Sequence, residues 1–362
     1  MRIVFILADA LRADHLSCYH GKVETPNIDE IAQNGTLFQN FFSNSNATEP
    51  CITTILTGQY PHTHGILMHP RASTYDEISK QTIKRNVEEN HLCTLLHEKA
   101  FRTFLIDNLS MFNRQYFDEY IEVKEGLRHP NNAEKTTDAA ISILDYFFEN
   151  CFIFIHYWNT HHPYFPSYAG EVAKLDKAVG RLLEHTDLDK DVIMFTADHG
   201  ESIGEHVTEA RVNDPGHHHL YDEIIHIPLI ISSEFSSKNT IAGLCEQIDI
   251  APTIMDIANG KGVFSKRAHS LLRKPDKKEV FLEEHTYQEQ LGLRTTEIKF
   301  IEKLKELSCS LCNTIHGNAR YEFYNLISDP QEKENLAPFH DIELLYKLHT
   351  ALQSWYNHGE EI

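Results

Sequence analysis

The stretch IVFILAD, residues 3–9, places six apolar residues directly before an aspartate. The apolar part is rich in β-branched and aromatic side chains and shows no alternation, which is typical of a strand covered on both faces. Similar runs occupy residues 103–106, 152–158, 192–196 and 227–231. Helical patterns lie between them, at residues 25–35, 90–100 and 132–150. This alternation predicts an α/β fold with a mostly parallel sheet sandwiched by helices.

The pattern changes after about residue 265. Residues 279–287, 292–303 and 319–326 are strand-like with no helix between them, and residues 341–356 have a helical pattern. Such a series indicates a small antiparallel sheet covered by the final helix. We therefore expect a large α/β domain over residues 1–265 and a small α+β subdomain over residues 266–362.

Charge and composition restrict the partners of this 362-residue chain, which has a formal net charge of -20. It repels phosphate backbones and anionic lipids, so nucleic acid and membrane are poor candidates. A small anionic ligand would need a local cationic or metal-bearing pocket. The apolar run at residues 3–8 is too short for a signal core or a membrane span. We expect a cytoplasmic protein with reduced thiols; self-association into a homo-oligomer is left open.

Polar residues follow several predicted strands. Asp9 follows the first, Asn159, His161 and His162 follow the strand at 152–158, and Asp198-His199 follows the strand at 192–196. Ligands bind beyond the carboxyl ends of parallel strands. A lone aspartate there is usually a turn residue or a helix cap, but the Asp-His pair together with Asp9 is a typical ligand set for a divalent cation.

The stretch NATEPCITTILTG, residues 46–58, has a helical pattern with Thr48 as N-cap and Gly58 as terminator. By itself it is a capped helix and nothing more. A helix N-terminus can also bind an anion, and a hydroxyl beside a metal ion can become a nucleophile. Cys51 lacks an arginine six residues later, where Thr57 stands, so we interpret it as a small buried residue.

A longer series of motifs is similar to the sulfatase family of the alkaline phosphatase superfamily. The segments are ILADALRADHLSCYHG (6–21), TPNIDEIAQNGTLFQNFFS (25–43), LTGQYPHTHGI (56–66), HYWNTHHPYFP (156–166), FTADHGESIGEH (195–206) and LYDEIIHIPLII (220–231), with a further match in the tail up to about residue 337. They occur in the family's order, which makes a chance match very improbable.

The resemblance implies one metal ion held by Asp9, Asp198, His199 and Thr48, with Thr48 as the nucleophile. Formylglycine sulfatases carry an oxidisable cysteine or serine at the position of Thr48 and a second aspartate after the first strand, where this chain has Ala10. Formylglycine cannot form from threonine. The arginine position of their motif is Ile52. A histidine-containing site of low coordination favours Mn²⁺ or Zn²⁺, with Ca²⁺ left open.

The resemblance also places His161 and His217 against the transferred group. There they would stabilise charge or, with His162 or His219, hold a second metal ion. Asn159 stands where an aspartate would complete that second site, so we expect a single metal ion.

The function expected from these residues is metal-dependent hydrolysis of a small anionic ester. Threonine at position 48 resembles the phosphodiesterase and phosphonate-hydrolase branches of the superfamily, so a phosphate mono- or diester or a phosphonate monoester is the first expectation. The alternatives are a sulfuric ester hydrolase without formylglycine and a phosphoryl-group transferase. An inactive binding protein is disfavoured because Asp9, Thr48, Asp198 and His199 are all present.

Overall fold

The computed structural model describes residues 1–68, 86–88, 90–107, 112–123, 132–147, 149–206, 219–234, 238–286, 289–304 and 320–358.

A large sheet of eight strands forms the centre of the molecule. Its strands in chain order are β1 (Arg2–Ala8), β2 (Thr36–Phe42), β3 (Arg102–Asp107), β4 (Glu119–Glu122), β5 (Cys151–Tyr157), β6 (Val192–Ala197), β7 (Leu229–Ser232) and β8 (Thr240–Glu246). Their order across the sheet is β4-β3-β5-β1-β6-β7-β2-β8. Strand β7 is antiparallel to both of its neighbours, and the other pairings are parallel.

Helices lie in most of the connections between these strands and after the last of them. They are α1 (Pro26–Asn34), α2 (Thr48–Thr57), α3 (Pro61–His64), α4 (Leu92–His97), α5 (Asn132–Tyr146), α6 (Tyr168–Leu183), α7 (Asp222–Ile225), α8 (Ile250–Ile257) and the C-terminal α9 (Ile342–His358). Short 3₁₀ turns lie at Ala13–His15, Ser17–Tyr19, Phe112–Tyr116, Gln247–Asp249 and Ala337–Phe339. Within the described ranges, no helix is both long and apolar enough to cross a membrane.

The central strands are covered on both faces. Every residue of β5 and β6 is buried, and so is every residue of β1 after Arg2. The helices pack in two groups: α1 and α5 contact α6, whereas α2 and α4 contact α8. The side chains of a strand point alternately to the two faces of the sheet. Burying all of them therefore requires helices on both faces. The predicted mostly parallel sheet between helices is confirmed.

The C-terminal part forms a separate antiparallel sheet of four strands in sequential order. They are β9 (Val280–Glu284), β10 (Gln290–Arg294), β11 (Ile298–Lys303) and β12 (Tyr321–Asn325). The strand-like stretch 292–303 is therefore two strands. Thr295 forms the turn between them: its backbone N–H donates to Ile298 O, and its hydroxyl oxygen accepts from the N–H groups of Glu297 and Ile298.

The small sheet has an apolar layer on each side. One layer joins it to the large sheet and α7, through residues that include Phe42, Ile224 and Leu282. The other joins it to α9 through Phe281, Phe300 and Trp355. The predicted antiparallel sheet with a covering helix is thus confirmed. The boundary between residues 265 and 266 stays a prediction.

Candidate active site

Polar side chains meet at the carboxyl-terminal edge of the large sheet. Asp107 ends β3, His156 lies near the end of β5, Asp9 follows β1 and Asp198 follows β6. These strands are adjacent in the order β3-β5-β1-β6. Parallel pairing therefore brings groups that are far apart in sequence to one edge.

Asp9, Asp198 and His199 offer ligand atoms that all lie within 4.8 Å of one another, and all three residues are fully buried. Asp198 Oδ1 accepts hydrogen bonds from the N–H of Ala10 at 3.0 Å and the N–H of His199 at 2.8 Å. Ala10 has a left-handed backbone with φ 57°. At this position the chain therefore supplies a backbone donor and no second carboxylate.

The cluster fits a divalent cation, because one buried oxygen of each carboxylate lacks a donor among the described residues. Asp9 Oδ1 and Asp198 Oδ2 have no hydrogen-bond partner among the described residues. His199 Nδ1 lies 2.8 Å from Gly200 O and must donate to it, so a neutral ring carries its lone pair on Nε2. That Nε2 lies 3.4 Å from Asp198 Oδ2. Facing lone pairs in a dry site are unfavourable unless a cation or a proton lies between them.

The two carboxylates differ in how strongly they hold a proton. Burial alone would raise the pKa of Asp9, but the hydrogen bond from His156 and the charge of His161 hold that pKa well below its usual value. Burial and the nearby charge of Asp9 raise the pKa of Asp198. Both groups can ionise together only beside compensating positive charge, which a metal ion would supply.

Thr48 lies beside this cluster and is 1% exposed. Its Oγ1 is 3.3 Å from Asp9 Oδ2 and 3.3 Å from His199 Nε2. The prediction that Thr48 is the N-cap of its helix is wrong by one position, because Ala47 is the N-cap and Thr48 is the first helical residue. The physical reason is that the hydroxyl is turned towards Asp9 and His199, and not back towards the helix amides.

Cys51 and Ile52, which follow Thr48 on α2, have no chemical role that the structure supports. Cys51 is buried, as predicted, and its Sγ donates to Ser45 O at 3.1 Å. Burial and the charge of Asp198 raise the pKa of the Cys51 thiol well above its usual value, which makes it a poor nucleophile. Ile52 is fully buried in the main apolar core. A cationic group for the substrate must therefore come from another element.

His156 and Asp107 are polar groups of this site that the sequence analysis missed. His156 Nε2 lies 3.2 Å from Asp9 Oδ2, and its Nδ1 lies 3.2 Å from Asp107 Oδ1. Burial opposes the charged ring, but the two carboxylates outweigh it and raise the pKa of His156 to about 10. The signal was a single histidine within the otherwise apolar run FIFIHYW, residues 152–158.

The predicted substrate-binding histidines are described only in part. His161 is half-buried, its ring packs on that of Trp158 with centroids 5.4 Å apart, and its Nδ1 donates to His162 O at 2.6 Å. Burial opposes the charged form, but Asp9 and Glu201 raise the pKa of His161. His217 lies outside the described residues. His219 packs on Tyr221, with ring centroids 4.6 Å apart.

Asn159 stands where the family resemblance places the aspartate of a second metal site. Its Nδ2 donates weakly to Glu171 Oε2, at 3.4 Å. In the part of the chain that the structure describes, the Asp9 cluster is the single group of three or more close His, Cys, Asp or Glu ligand atoms. The number of bound ions stays a prediction.

The sequence of the chain is similar to those of known proteins. The family model described as Sulfatase matches residues 2–260. The multifunctional alkaline phosphatase superfamily protein PehA of Trinickia caryophylli is 27% identical over 196 residues, which are 47% of this chain and 36% of PehA. An ulvan-active sulfatase of Formosa agariphila is 22% identical over 98% of this chain and 79% of its own length. An N-acetylglucosamine-6-O-sulfatase of Bacteroides thetaiotaomicron is 24% identical over 49% of this chain and 32% of its own length. The chain thus spans about a third of the length of two of these relatives.

Solved structures share the fold along almost the whole chain. A structure described as a complex with its substrate, D-glucosamine-2-N,6-O-disulfate, superposes with a TM-score of 0.80 at 17% identity, covering 99% of this chain and 98% of the other. The phosphonate monoester hydrolase of Agrobacterium radiobacter superposes with a TM-score of 0.75 at 16% identity, covering 98% and 96%. At these identities the likeness concerns the fold alone.

Proposed function

The chain belongs to the sulfatase family, and from this premise we propose that it is a metal-dependent hydrolase that cleaves small sulfate esters through Thr48. Sulfate-ester hydrolysis without formylglycine, the alternative in the sequence analysis, becomes the first candidate, because the family model and most of the relatives named above are sulfatases. The phosphate and phosphonate esters expected first become the second candidate.

One observation carries the proposal. The hydroxyl of Thr48 lies 3.3 Å from both Asp9 Oδ2 and His199 Nε2, in a buried cluster that has unsatisfied carboxylate oxygens. A divalent cation held by Asp9, Asp198 and His199 would favour loss of the hydroxyl proton and would attract an anionic ester. A capped helix without catalytic function would have no reason to point its first hydroxyl at two such groups.

The first step that we propose is attack of Thr48 Oγ1 on sulfur. The bond from Oγ1 to sulfur forms as the bond from sulfur to the ester oxygen breaks. The hydroxyl proton is lost to water, because the low pKa of Asp9 makes its carboxylate, the acceptor at 3.3 Å, a weak base. His161 gives a proton to the leaving alcohol, which suits a histidine whose pKa is raised by Asp9 and Glu201 against the effect of burial.

The second step returns the enzyme to its starting state. Water attacks sulfur, its proton passes to His161, and the bond from sulfur to Oγ1 breaks. Thr48 recovers its proton from water, and sulfate leaves. Charge develops on the sulfate oxygens in both steps, so positive groups around the transferred group supply most of the rate. His217 keeps its proposed place among these groups.

A small sugar sulfate is the substrate class that the relatives suggest. Two of them are named as an ulvan-active sulfatase and an N-acetylglucosamine-6-O-sulfatase, and one structural neighbour is described in complex with a glucosamine disulfate. The identity of the ion remains part of the proposal, with Mn²⁺ or Zn²⁺ preferred for a ligand set that includes histidine.

The test compares esters of one leaving group. The 4-nitrophenyl esters of sulfate, phosphate and phenylphosphonate and the bis(4-nitrophenyl) phosphate diester are assayed with Mn²⁺, Zn²⁺ or Ca²⁺ added to the metal-stripped chain. We expect the highest kcat/KM for the sulfate ester, with release of inorganic sulfate. A higher kcat/KM for the diester or the phosphonate would reject sulfate as the preferred substrate.

The second candidate, hydrolysis of a phosphonate monoester or phosphate diester, is favoured by two observations. Thr48 occupies the position at which formylglycine sulfatases need an oxidisable residue, and a phosphonate monoester hydrolase is among the structural neighbours. The same panel decides between the candidates. A transferase would reveal itself by a second product when sugar alcohols are added as acceptors.

A further inference from the structure

A buried chain of polar groups runs from β3 to Asp9. The imidazole of His156 stands between two carboxylates, with Nε2 3.2 Å from Asp9 Oδ2 and Nδ1 3.2 Å from Asp107 Oδ1. All three side chains are 0% exposed. A carboxylate accepts but cannot donate, so the Nε2 of His156 donates the hydrogen bond to Asp9. The contact between Nδ1 and Asp107 is an ion pair whose geometry falls short of a hydrogen bond.

Strand order and register produce this arrangement. Strand β5 lies between β3 and β1. His156 is the register partner of Leu7 in β1 and follows Ile155, whose register partner in β3 is Ile106. Asp107 is the next residue after Ile106, so it stands beside His156. Asp9 lies two residues beyond Leu7, on the same face, because side chains alternate along a strand.

Further contacts fix the positions of Asp107 and Asp9, the two ends of this series of polar groups. Asp107 Oδ1 also accepts from Trp158 Nε1 at 3.1 Å. The backbone N–H of Asp9 donates to Tyr157 O at 2.8 Å, and the Asp9 carbonyl accepts from the Thr160 hydroxyl. Turning the imidazole would break the hydrogen bond to Asp9 and the ion pair with Asp107, which is costly in an apolar interior.

We propose that His156 is a positioning residue for Asp9: it holds the Asp9 carboxylate in the orientation in which the centre binds its cation, and Asp107 holds His156 in turn. The inference rests on the proposed function, because Asp9 is a ligand only if the centre binds a metal ion. Groups that hydrogen-bond to metal ligands commonly change metal affinity by about 10- to 100-fold when they are removed. A purely structural ion pair would change stability and leave metal affinity as it was.

The experiment measures binding of Mn²⁺ to the full metal-stripped chain by isothermal titration calorimetry. We expect His156→Leu to bind Mn²⁺ roughly 10- to 100-fold more weakly than the wild type. His156→Gln should recover part of the loss, because its amide can still donate to Asp9. Asp107→Asn should weaken binding less than His156→Leu. The visible absorption bands of bound Co²⁺ should also shift in the His156 variants.

The control is His91→Gln, because His91 is also a fully buried histidine but is bonded to Asn113 and the Cys93 N–H. It should lose stability and keep the Mn²⁺ affinity of the wild type. Unchanged Mn²⁺ affinity in folded His156→Leu would overturn the proposal. If circular dichroism shows that neither His156 variant folds, Asp107→Asn decides in the same way: weaker binding supports the proposal and unchanged binding overturns it.

A further variant separates this inference from the metal centre itself. Asp9→Asn removes a proposed ligand and should abolish tight Mn²⁺ binding. Wild-type affinity in Asp9→Asn would reject the centre and, with it, the role of His156. Weak binding in Asp9→Asn with wild-type binding in His156→Leu and Asp107→Asn would reject the positioning role alone.

Discussion

At the scale of single residues, the hydroxyl of Thr48 is the group on which turnover depends. Thr48→Ala should lower kcat by roughly 10³-fold or more, because loss of a nucleophile is seldom compensated by other groups. The fold and the metal centre should survive, since the side chain is small and Asp9, Asp198 and His199 remain. The measurement is steady-state hydrolysis of the preferred ester, with circular dichroism and metal content by mass spectrometry.

Thr48→Ser is the matched control for that substitution. It keeps the hydroxyl and removes one methyl group, so activity within about tenfold of the wild type is expected. Near-wild-type turnover in Thr48→Ala would reject Thr48 as the nucleophile. Loss of activity together with the bound ion would instead identify Thr48 as a ligand without showing attack.

His91 gives a second prediction at this scale, on the pH dependence of stability. Its Nδ1 accepts the N–H of Cys93 at 3.2 Å and so caps α4, while Nε2 faces Asn113 Oδ1 at 3.3 Å. Burial lowers the pKa of His91 from 6.5 to about 3. The folded chain therefore keeps this ring neutral, and only the unfolded chain takes up its proton as the pH falls through 6.5.

The sign of the effect follows from this difference in proton uptake. The contribution of His91 is complete above its unfolded pKa and is lost as the pH falls towards about 3. Between pH 7.5 and pH 5, the wild type should lose about 2 kcal/mol more unfolding free energy than His91→Gln. Urea titrations at the two pH values measure this. The control is His269→Gln at an exposed histidine, whose unfolding free energy should change with pH as much as that of the wild type does. If the unfolding free energy of His91→Gln also changed as much as that of the wild type, the prediction would be contradicted.

The metal-ligand candidates could be found in the sequence because each follows a recognisable strand or begins a recognisable helix. The structure brings Asp9, Thr48, Asp198 and His199 together, although binding of an ion there is still a prediction. His156 could not be found in this way. The side chains that contact His156 depend on which strands flank β5. The order β3-β5-β1 is a property of the whole sheet, and no local sequence pattern predicts it.

At the scale of elements, the sequence predicts the strands that are covered on both faces and misses those that are not. The strands β1, β3, β5, β6 and β7 arise from continuous apolar runs. The missed strands β4 and β8 are the two edges of the large sheet, and β2 lies next to β8. β2 is interrupted by Gln39 and Asn40, and β8 begins with partly exposed residues. Strands near an edge need fewer apolar residues, so they lack the signal that identifies buried strands.

The attachment of the small sheet to the large one gives a prediction at this scale. Lys299 on β11 is fully buried, and its Nζ lies 2.6 Å from Asp222 Oδ1 and 2.6 Å from Glu332 Oε1. Asp222 begins α7, beside the large sheet. Lys299→Met would leave both carboxylates without this cation, so it should lower the unfolding free energy by roughly 3–5 kcal/mol.

An exposed ion pair on α9 supplies the control. Lys347 and Glu343 are 69% and 70% exposed, so Lys347→Met should change stability by about 0.5 kcal/mol or less. Guanidinium unfolding of the three proteins measures both effects. A loss in Lys299→Met no larger than that in Lys347→Met would show that the buried ion pairs do not hold the small sheet in place.

At the scale of the whole molecule, the net charge of -20 opposes the approach of an anionic ester. The Debye length falls from about 30 Å at 0.01 M salt to about 8 Å at 0.15 M, so salt screens this long-range repulsion but leaves the buried centre almost unaffected. We therefore expect kcat/KM for a small sulfate ester to rise by roughly 2- to 5-fold over this range, with kcat unchanged. An ester whose leaving group carries a quaternary ammonium has no net charge, and its kcat/KM should hardly change. A fall in kcat/KM with salt for the anionic ester alone would show that local positive charge at the site entrance, and not the overall charge, controls the encounter with substrate.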